Sequence, residues 1–534
     1  MKWILYTFFA LNSVLSTAQS TQFAYIYDVL YGNESGSQLL IVPDGYVTAN
    51  IGICQDIDDG ISCSPVLKLN KSGKLLSYKV IERHLKTAPF SAIHNVNDTV
   101  YICGTDFDTD PYKWRVLKYD FDLDSIGGFE KRYFGNKSLS CNGMIIKGDY
   151  IYMVGKELLE LHSQDKNFWI VKTDKQGNLI KKRQLDKLEY YEADNFDMSM
   201  TQTADGYFAV AYSSYQNVSY PELHGRREKL IKFDENLDTL WSEDYGLNWD
   251  GLSTVACIEG TRDSGLLYNT VISLGELYDQ GKVTKEFWEE YGETQEVIHK
   301  MNGDGDILWS DTMWVKRYKK GEAPWYSILD VHEMKNGDIV AVGKYKDYKK
   351  KLLKAVIRRY TKDGKLKWEK LYDVASIPDD RSAFYKFREE ENGDLVSIGY
   401  ITYEHKVWNE SFIWVVRLDS MGCFESGCGV SDSLQVIELD PGFVTKTDEI
   451  ISDYTYSDRM IIYPNPCSDV LNIKVMDDFY AKNISIFDMQ GNIIMSRDTN
   501  TLENIDISKL KTGIYFIKLR NKTGRIKTGK FVKE

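Results

Sequence analysis

The chain has little of several residue types that define common classes of protein. Only ten of its 534 residues are proline and only seven are histidine. Because so few prolines accompany 36 tyrosines, proline-rich disordered and fibrous classes are excluded, and extended, half-buried sheet is favoured. The eight cysteines include no Cys-x-x-Cys pair and the histidines form no cluster, so the sequence predicts no structural zinc site.

Basic residues are outnumbered by acidic ones, 66 to 79. The formal net charge is −13, and residues 461–534 hold 12 basic and 8 acidic residues, so that part carries +4 and the rest −17. Such an acidic body lacks the basic surface that nucleic-acid binding requires, and we predict no nucleic-acid partner. Beyond the N-terminus no apolar run approaches the length of about 20 residues that spans a bilayer, so we predict no transmembrane segment.

The N-terminus has the pattern of a secretory signal peptide. Lys2 precedes an apolar run, and the small residues Ser16 and Ala18 stand where a signal peptidase would cleave. The alternative, a membrane anchor, requires a longer run without polar interruptions. We therefore predict a signal peptide at residues 1–18 and a mature chain that is secreted or on the outer cell surface.

One unit repeats seven times along the chain. The full unit has an apolar strand, a polar turn, a second strand that ends in a small residue, a third strand with a central basic residue, and an aromatic fourth strand. The pattern predicts an all-β fold, a seven-bladed β-propeller over residues 21–428. We interpret the basic residue as scaffold, solvated or ion-paired within its blade; it recurs at Lys68, Lys118, Lys172, Lys232, Lys300, Arg359 and Arg417.

The seventh unit lacks a fourth strand of its own. The segment Phe23–Gly32 matches the fourth-strand pattern and precedes the first unit. We therefore predict that the N-terminal strand completes the seventh blade, which would remove an exposed sheet edge. Residues 429–459 have no repeat match, are rich in Asp, Ser and Thr, and are predicted to be a linker.

The cysteines of an exported chain are candidates for disulfides. Cys54 and Cys63 could cross-link a hairpin, and Cys423 and Cys428 could close a short loop. The remaining four stand mostly in apolar strand contexts, where buried free thiols are common. These are Cys103, Cys141, Cys257 and Cys467.

The last 75 residues show short alternating strands that predict a small β-sandwich. Four ordered motifs, YPNP, IFDMQGN, IDISKLKTGIYFIKL and the final KFVKE, closely resemble the type A C-terminal sorting domain of Bacteroidota proteins over residues 460–534. The resemblance implies export by the Sec route and then through the type IX secretion system, whose machinery would be a partner. The motif residues are Tyr463, Pro464, Asn465, Pro466, Gly491, Gly513, Tyr515 and Lys530. The repeats resemble, more loosely, the secreted propellers that precede such domains.

Catalytic motifs are missing from the sequence. The histidines lie in different units, and no Gly-x-Ser-x-Gly elbow is present. Only His94 and His332 fall near first strands, which line a propeller channel, so only these two could converge. We therefore favour a function without catalysis. The alternative is a secreted polysaccharide hydrolase or lyase that uses channel carboxylates or histidines.

Aromatic residues concentrate in the loops of one propeller face. Rings with nearby carboxylates suit stacking on sugars or gripping a protein, so we predict that this face binds a glycan or protein ligand. Alternatively, the rings cap the apolar ends of the blades, or the protein is a structural surface or adhesion component. The candidate ligand-binding residues are Tyr190, Tyr191, Trp249, Trp288, Trp314, Trp325 and Tyr326.

The aspartates of the DFDTD segment could hold calcium, since oxygen ligands are spaced two residues apart at Asp106, Asp108 and Asp110. Polar turns use the same residue types for backbone reasons, and we favour that interpretation. The sequence therefore predicts no cofactor, with calcium as the open alternative.

Overall fold

The computed structural model describes most of the chain. The described residues are 22–28, 34–54, 61–82, 91–106, 111–135, 138–158, 165–189, 198–216, 225–248, 257–274, 278, 281–291, 294–316, 324–347, 352–374, 381–404, 409–424, 428, 435–439, 442–445, 460–463, 467–475, 481–488, 493–499, 502, 504–521 and 526–533. They belong to two compact units, residues 1–449 and 450–534. The predicted signal peptide lies outside the described residues.

The described strands of the first unit form antiparallel groups of four, which we call sheets, and one parallel pairing between Leu353 and Arg381 joins the sixth group to the seventh. The chain opens with β1 (Phe23–Asp28). The first sheet contains β2 (Glu34–Val42), β3 (Gly45–Cys54), β4 (Ile61–Asn70) and β5 (Leu75–Glu82). The second contains β6 (Ala92–Val96), β7 (Thr99–Asp106), β8 (Lys113–Tyr119) and β9 (Ser125–Lys131). The third contains β10 (Ser138–Lys147), β11 (Tyr150–Leu158), β12 (Asp165–Asp174) and β13 (Leu179–Glu189).

Four further sheets come next in chain order. The fourth contains β14 (Met198–Gln202), β15 (Phe208–Gln216), β16 (Gly225–Phe233) and β17 (Thr239–Asn248). The fifth contains β18 (Ile258–Gly260), β19 (Leu266–Ser273), β20 (Thr294–Met301) and β21 (Ile307–Thr312). The sixth contains β22 (Trp325–Glu333), β23 (Ile339–Asp347), β24 (Leu352–Tyr360) and β25 (Leu366–Val374). The seventh contains β26 (Arg381–Glu389), β27 (Leu395–Glu404), β28 (Asn409–Leu418) and, as its fourth strand, β1.

Polar turns of one kind join third strands to fourth strands. In the third sheet the Asp174 carboxylate accepts hydrogen bonds from the backbone N–H groups of Gln176 (2.9 Å) and Asn178 (2.8 Å), and Gly177 has a φ of 79° that favours glycine. These bonds hold the turn and therefore the register of the two strands. The same pair of bonds forms at Asn70, Asp120, Asp234 and Asn302, and also at Asp419, directly after the third strand of the seventh sheet.

Apolar side chains join each sheet to the next. Separate clusters of buried residues lie between successive sheets from the first to the seventh. A further cluster packs Leu39 and Leu67 of the first sheet against Ile398 and Val415 of the seventh, so the series closes on itself. The prediction of an all-β propeller is therefore confirmed.

The N-terminal strand closes the ring. Strand β1 pairs antiparallel with β28, with Phe23 opposite Arg417 and Tyr27 opposite Ile413. The side chains of Ile26 and Tyr27 are fully buried, and the Tyr27 hydroxyl donates to the Gly73 carbonyl of the first sheet. The predicted closure by the N-terminal strand is confirmed.

Two more strands lie in the segment predicted to be a linker. Strand β29 (Gln435–Leu439) pairs in parallel with β25, and β30 (Gly442–Thr445) pairs in parallel with β1. These strands extend the sixth and seventh sheets. This part of residues 429–459 is therefore integrated into the propeller sheets.

In five of the seven sheets the basic residue of the third strand bonds to the next sheet, whereas Lys68 and Lys300 bond to Asp44 and Asp263 of their own sheets. The Lys232 ammonium lies 2.7 Å from the Asp205 carboxylate of its own sheet and donates to the Ser264 (3.2 Å) and Gly303 (3.1 Å) carbonyls of the next sheet. The basic residue is therefore part of the scaffold, as interpreted from the sequence, but its hydrogen bonds extend beyond its own blade. Equivalent bonds to a carbonyl of the next sheet join Lys118 to Lys175, Lys172 to Glu235, Arg359 to Ser420 and Arg417 to Lys71.

The second unit is a small β-sandwich, as predicted. Its strands are β31 (Met460–Tyr463), β32 (Val470–Val475), β33 (Ala481–Phe487), β34 (Ile493–Asp498), β35 (Ile505–Asp506), β36 (Gly513–Asn521) and β37 (Ile526–Lys533). One sheet has the order β31-β32-β35 and the other β34-β33-β36-β37. Leu471, Ile486, Ile517 and Phe531 belong to the apolar core of this unit.

Helical structure is sparse in the described residues. A seven-residue helix, Lys285–Tyr291, lies between β19 and β20. Over the part of the chain that is described, no helix combines the length and the apolar character needed to traverse a bilayer.

The cysteines follow the sequence prediction where their side chains are described. Cys423 and Cys428 form a disulfide. The side chains of Cys54 and Cys63 lie outside the described residues. The four cysteines predicted to be free are buried thiols: Cys103, Cys141, Cys257 and Cys467.

Candidate functional site

The inner wall of the ring is built by the first strand of each sheet, because successive first strands contact one another around it. Strand pairing aligns one position among all of them: the residue whose partner on the second strand is also opposite the basic residue of the third strand. We name this set the channel ring. Its members are Leu40, His94, Ile145, Thr201, Glu259, His332 and Arg388.

The fifth, sixth and seventh sheets give the wall a charged sector. His332 Nδ1 lies 2.9 Å from Glu259 Oε1. Asp330 and Lys386 stand two residues before His332 and Arg388 on their strands, and the Lys386 ammonium lies 2.7 Å from Asp330 Oδ1. Arg388 Nη1 lies 3.3 Å from Asp330 Oδ2. We name Glu259, Asp330, His332, Lys386 and Arg388 the charged sector.

The remaining sheets place smaller or less polar side chains at the same two levels. Leu40, Ile145 and Thr201 occupy the channel ring, and only His94 adds an ionisable group there. The residues two positions earlier are short or uncharged: Gln38, Ala92, Gly143 and Ser199. The wall is therefore chemically asymmetric although the backbone repeats.

Electrostatics link His94 to the charged sector. Burial lowers the pKa of His94, the Arg388 charge lowers it further, and Glu259 together with a hydrogen bond to the Met144 backbone opposes the shift. His94 is therefore neutral at neutral pH. Burial also raises the pKa of the Cys257 thiol, and the charge of Asp330 raises it further.

Sequence reasoning found only part of this wall. His94 and His332 were expected to line the channel, and both lie in the channel ring near Glu259. Glu259 and Arg388 were missed. The sequence does contain the signal for them, because aligning the first strands on the turns after them brings these residues into one column.

A second candidate lies where the helix Lys285–Tyr291 meets the chain after β21. The Trp314 ring packs at 5.3 Å from both Phe287 and Tyr291, yet 46% of Trp314 is exposed. Nearby, Tyr278 and Trp288 stack at 5.5 Å with an interplanar angle of 12°. We name Tyr278, Phe287, Trp288, Tyr291 and Trp314 the aromatic surface.

Charged groups border the aromatic surface. The Lys316 ammonium lies 5.7 Å from the centre of the Tyr291 ring and 2.5 Å from the Glu290 carboxylate. Both the helical insertion and Trp314 lie at the end of the fifth sheet where second and fourth strands terminate, because antiparallel strands alternate in direction.

The other predicted aromatic residues have different surroundings. The half-buried Trp325 ring lies between the ammonium groups of Lys344 (5.5 Å) and Lys346 (5.7 Å). Tyr326 packs on Tyr345 at 4.9 Å and donates to Glu369 at 2.8 Å, which matches the capping alternative. Three candidates lie outside the described residues: Tyr190, Tyr191 and Trp249.

The calcium candidates do not form a described cluster. Asp106 is buried, and its carboxylate lies 3.7 Å from Arg115 Nη2. Asp108 and Asp110 lie outside the described residues. Across the described part of the chain, no group of three or more His, Cys, Asp or Glu side chains has an arrangement that could hold a metal ion.

The sorting-motif residues lie in the second unit. Tyr463 is opposite Asn472, Gly513 is opposite Lys533, and Lys530 is opposite Phe516. The Tyr515 ring stacks on Phe531 at 5.6 Å, and its hydroxyl donates to the Lys511 carbonyl at 2.8 Å. Four motif residues lie outside the described part: Pro464, Asn465, Pro466 and Gly491.

Comparisons with solved structures find propellers at low similarity. The chain is similar to the polysaccharide lyase Uly1, at 10% identity and a TM-score of 0.43, over 77% of this chain and 94% of that one. It is similar to the β-propeller domain of the Trilobed protease from Pyrococcus furiosus, at 11% identity and a TM-score of 0.37, over 73% of this chain and 93% of that one. At these TM-scores the similarities carry no argument about chemistry.

Comparison with families identifies the second unit. No match was found among curated proteins. Residues 461–534 match the family described as the secretion system C-terminal sorting domain. This match covers the sandwich and indicates type IX sorting, which implies a secreted or outer-surface protein. The chain is therefore a β-propeller protein that carries a C-terminal sorting domain of the type IX secretion system.

Proposed function

We propose that this exported propeller is a carbohydrate-binding protein that acts without catalysis and contacts its ligand through the aromatic surface. The observation that carries the proposal is the exposure of Trp314. Its ring already contacts two others, yet nearly half of it remains accessible. A capping ring such as Tyr326, by contrast, is held by a neighbouring ring and a carboxylate.

The chemistry of the surface fits a sugar. Aromatic faces contact the C–H groups of a pyranose ring, and rigid rings lose little conformational freedom on binding. The Glu290 carboxylate and the Lys316 ammonium stand beside Tyr291 and supply an acceptor and donors for hydroxyl groups. A surface of stacked rings bordered by one ion pair is therefore suited to a neutral or weakly charged polysaccharide.

The test uses the purified full chain, a polysaccharide array and calorimetric titration of whichever glycans bind. We expect Trp314→Ala to weaken binding by about 10-fold or more, because a central exposed ring is replaced by a methyl group. The matched control is Tyr207→Ala, which removes an exposed ring from a turn at the opposite end of the strands.

Three results would overturn the proposal. The first is an array without any bound glycan, and the second is unchanged affinity in Trp314→Ala. The third is detectable cleavage of a bound polysaccharide that His94→Ala or His332→Ala abolishes, because that result would make the protein a hydrolase or lyase.

A further inference from the structure

The channel wall contains hydrogen-bond donors that the described protein leaves unused. Arg388 Nη1 donates to the Phe387 carbonyl at 2.7 Å and to Asp330 at 3.3 Å. No described residue accepts a hydrogen bond from its Nε or Nη2, and 33% of the side chain is exposed. A guanidinium with a free edge can bind a planar carboxylate through two parallel hydrogen bonds.

Two neighbouring side chains have further donors. The Lys386 ammonium has three N–H groups and forms one bond, to Asp330, with 24% of the side chain exposed. His332 uses Nδ1 for Glu259, so its Nε2 remains for another partner among the described groups. Arg388 and Lys386 lie on the first strand of the seventh sheet and His332 on that of the sixth, and these two strands contact each other in the wall.

Arg388 and Lys386 share one directly bonded carboxylate. That carboxylate, Asp330, also accepts a hydrogen bond from the Phe387 backbone at 3.1 Å. Glu259 is engaged by His332 instead. A second carboxylate bound at Arg388 would therefore give each of the two cations its own acceptor.

The rest of the channel ring indicates what kind of molecule the bound carboxylate would belong to. Beyond Arg388 the next two members of the ring are Leu40 and then His94, from the first and second sheets. Leu40 is half-buried, and burial together with the Arg388 charge keeps His94 neutral at neutral pH. A carbon skeleton attached to a carboxylate would therefore meet an apolar side chain and a neutral ring.

From these observations we propose that the charged sector is a binding site for a small organic carboxylate, anchored by Arg388 and separate from the aromatic surface. Lys386 supplies a second donor, and Leu40 contacts the carbon skeleton. Asp330 holds both cations in place and acts as a positioning residue.

The test compares three probes by calorimetric titration of the full chain: glucuronate, glucose as its uncharged counterpart, and inorganic sulfate. We expect glucuronate alone to bind. Arg388→Gln should weaken its binding at least about 10-fold, because the bidentate contact is lost, while Arg388→Lys should recover only part of the affinity. The control is Arg132→Gln, an exposed arginine directly after β9.

Each alternative outcome contradicts the proposal. If glucuronate does not bind, the proposed site does not exist. If sulfate binds equally well, the site is a general anion site. If Arg388→Gln and Arg132→Gln lose the same affinity for glucuronate, the effect is one of overall charge. Thermal melts of both variants establish that they are folded. Carboxylate binding that persists in Trp314→Ala, and glycan binding that persists in Arg388→Gln, would separate this site from the proposed carbohydrate function.

Discussion

The third strands and the first strands of the same repeat differ in how they vary around the ring. Every third strand has a basic residue at one position, and in six sheets that residue is buried. The channel ring, at an equivalent position of every first strand, ranges from leucine to glutamate to arginine. Positions that join one sheet to the next therefore keep one chemistry, whereas positions on the inner wall differ from sheet to sheet and produce a local site.

Opening the ring should have the largest effect on the stability of the propeller unit. Deleting residues 21–33 removes β1 and with it the buried side chains of Ile26 and Tyr27, each worth about 2–5 kcal/mol. Because a domain is stable by only about 5–15 kcal/mol, we expect the propeller unit to lose its cooperative unfolding transition. Calorimetry of the truncated and full chains checks this. A truncated chain that melts like the full chain would show that closure does not stabilise the ring.

A single third-strand residue should have the next largest effect. Lys232→Met removes the only cation bonded to the Asp205 carboxylate among the described residues, and it removes one donor from each of the Ser264 and Gly303 carbonyls. Asp205 keeps the donors of Thr203 and Tyr207, and the Gly303 carbonyl keeps the Trp241 indole. Breaking a buried ion pair costs about 3–5 kcal/mol, and partial exposure of Asp205 reduces this to about 2–3 kcal/mol. Urea denaturation should show that loss.

The matched control for this change is Lys181→Met. Lys181 is exposed and lies 3.3 Å from Asp238, so its loss should alter the unfolding free energy by no more than about 0.5 kcal/mol. Equal effects of the two changes would mean that the buried position has no special part in joining the sheets.

Lowering the pH should destabilise the fifth sheet through His299 on its third strand. His299 precedes Lys300, and burial lowers the pKa of the histidine to about 4. The unfolded chain, with a histidine pKa near 6.5, binds the proton first as the pH falls. The stabilisation is therefore complete above pH 6.5 and is lost as the pH falls towards 4.

We expect His299→Gln to flatten this dependence by about 1–2 kcal/mol between pH 7 and pH 4.5. Unfolding free energies of the two proteins in urea at both pH values check the expectation. Identical pH profiles would show that other groups cause the acid sensitivity.

The smallest change in stability should come from the inner wall. Arg388→Gln removes one of three donors to Asp330, at 3.3 Å, and the arginine is partly exposed. We expect the unfolding free energy to change by less than about 1 kcal/mol. A loss as large as that of Lys232→Met, measured in the same urea titration, would make Arg388 part of the scaffold and erase the distinction between the two positions.

Local patterns in the sequence were sufficient to predict most of the fold. The recurring polar turns and the alternating strands arise from short-range chemistry, and the missing fourth strand of the last repeat pointed to Phe23–Gly32, which contains β1. Strands β29 and β30 escaped detection because parallel pairing with a distant edge leaves no repeat in the sequence.

The candidate sites were less predictable. Trp288 and Trp314 were identified as loop-face rings, but Phe287 and Tyr278 enter the aromatic surface only through the helix between β19 and β20. In the charged sector, Glu259 and His332 are 73 residues apart in the chain. Such residues come together only when the repeats are aligned on the turns that follow their first strands.

The position of β1 between β28 and β30 has a consequence for how the protein is made. Tyr25 is opposite Val415, so β1 leaves the ribosome about 390 residues before its partner. At about 5–20 residues per second, that interval is roughly 20–80 s. Throughout this time the nascent propeller has an unpaired edge, and it reaches its closed form only when nearly the whole unit has been synthesised.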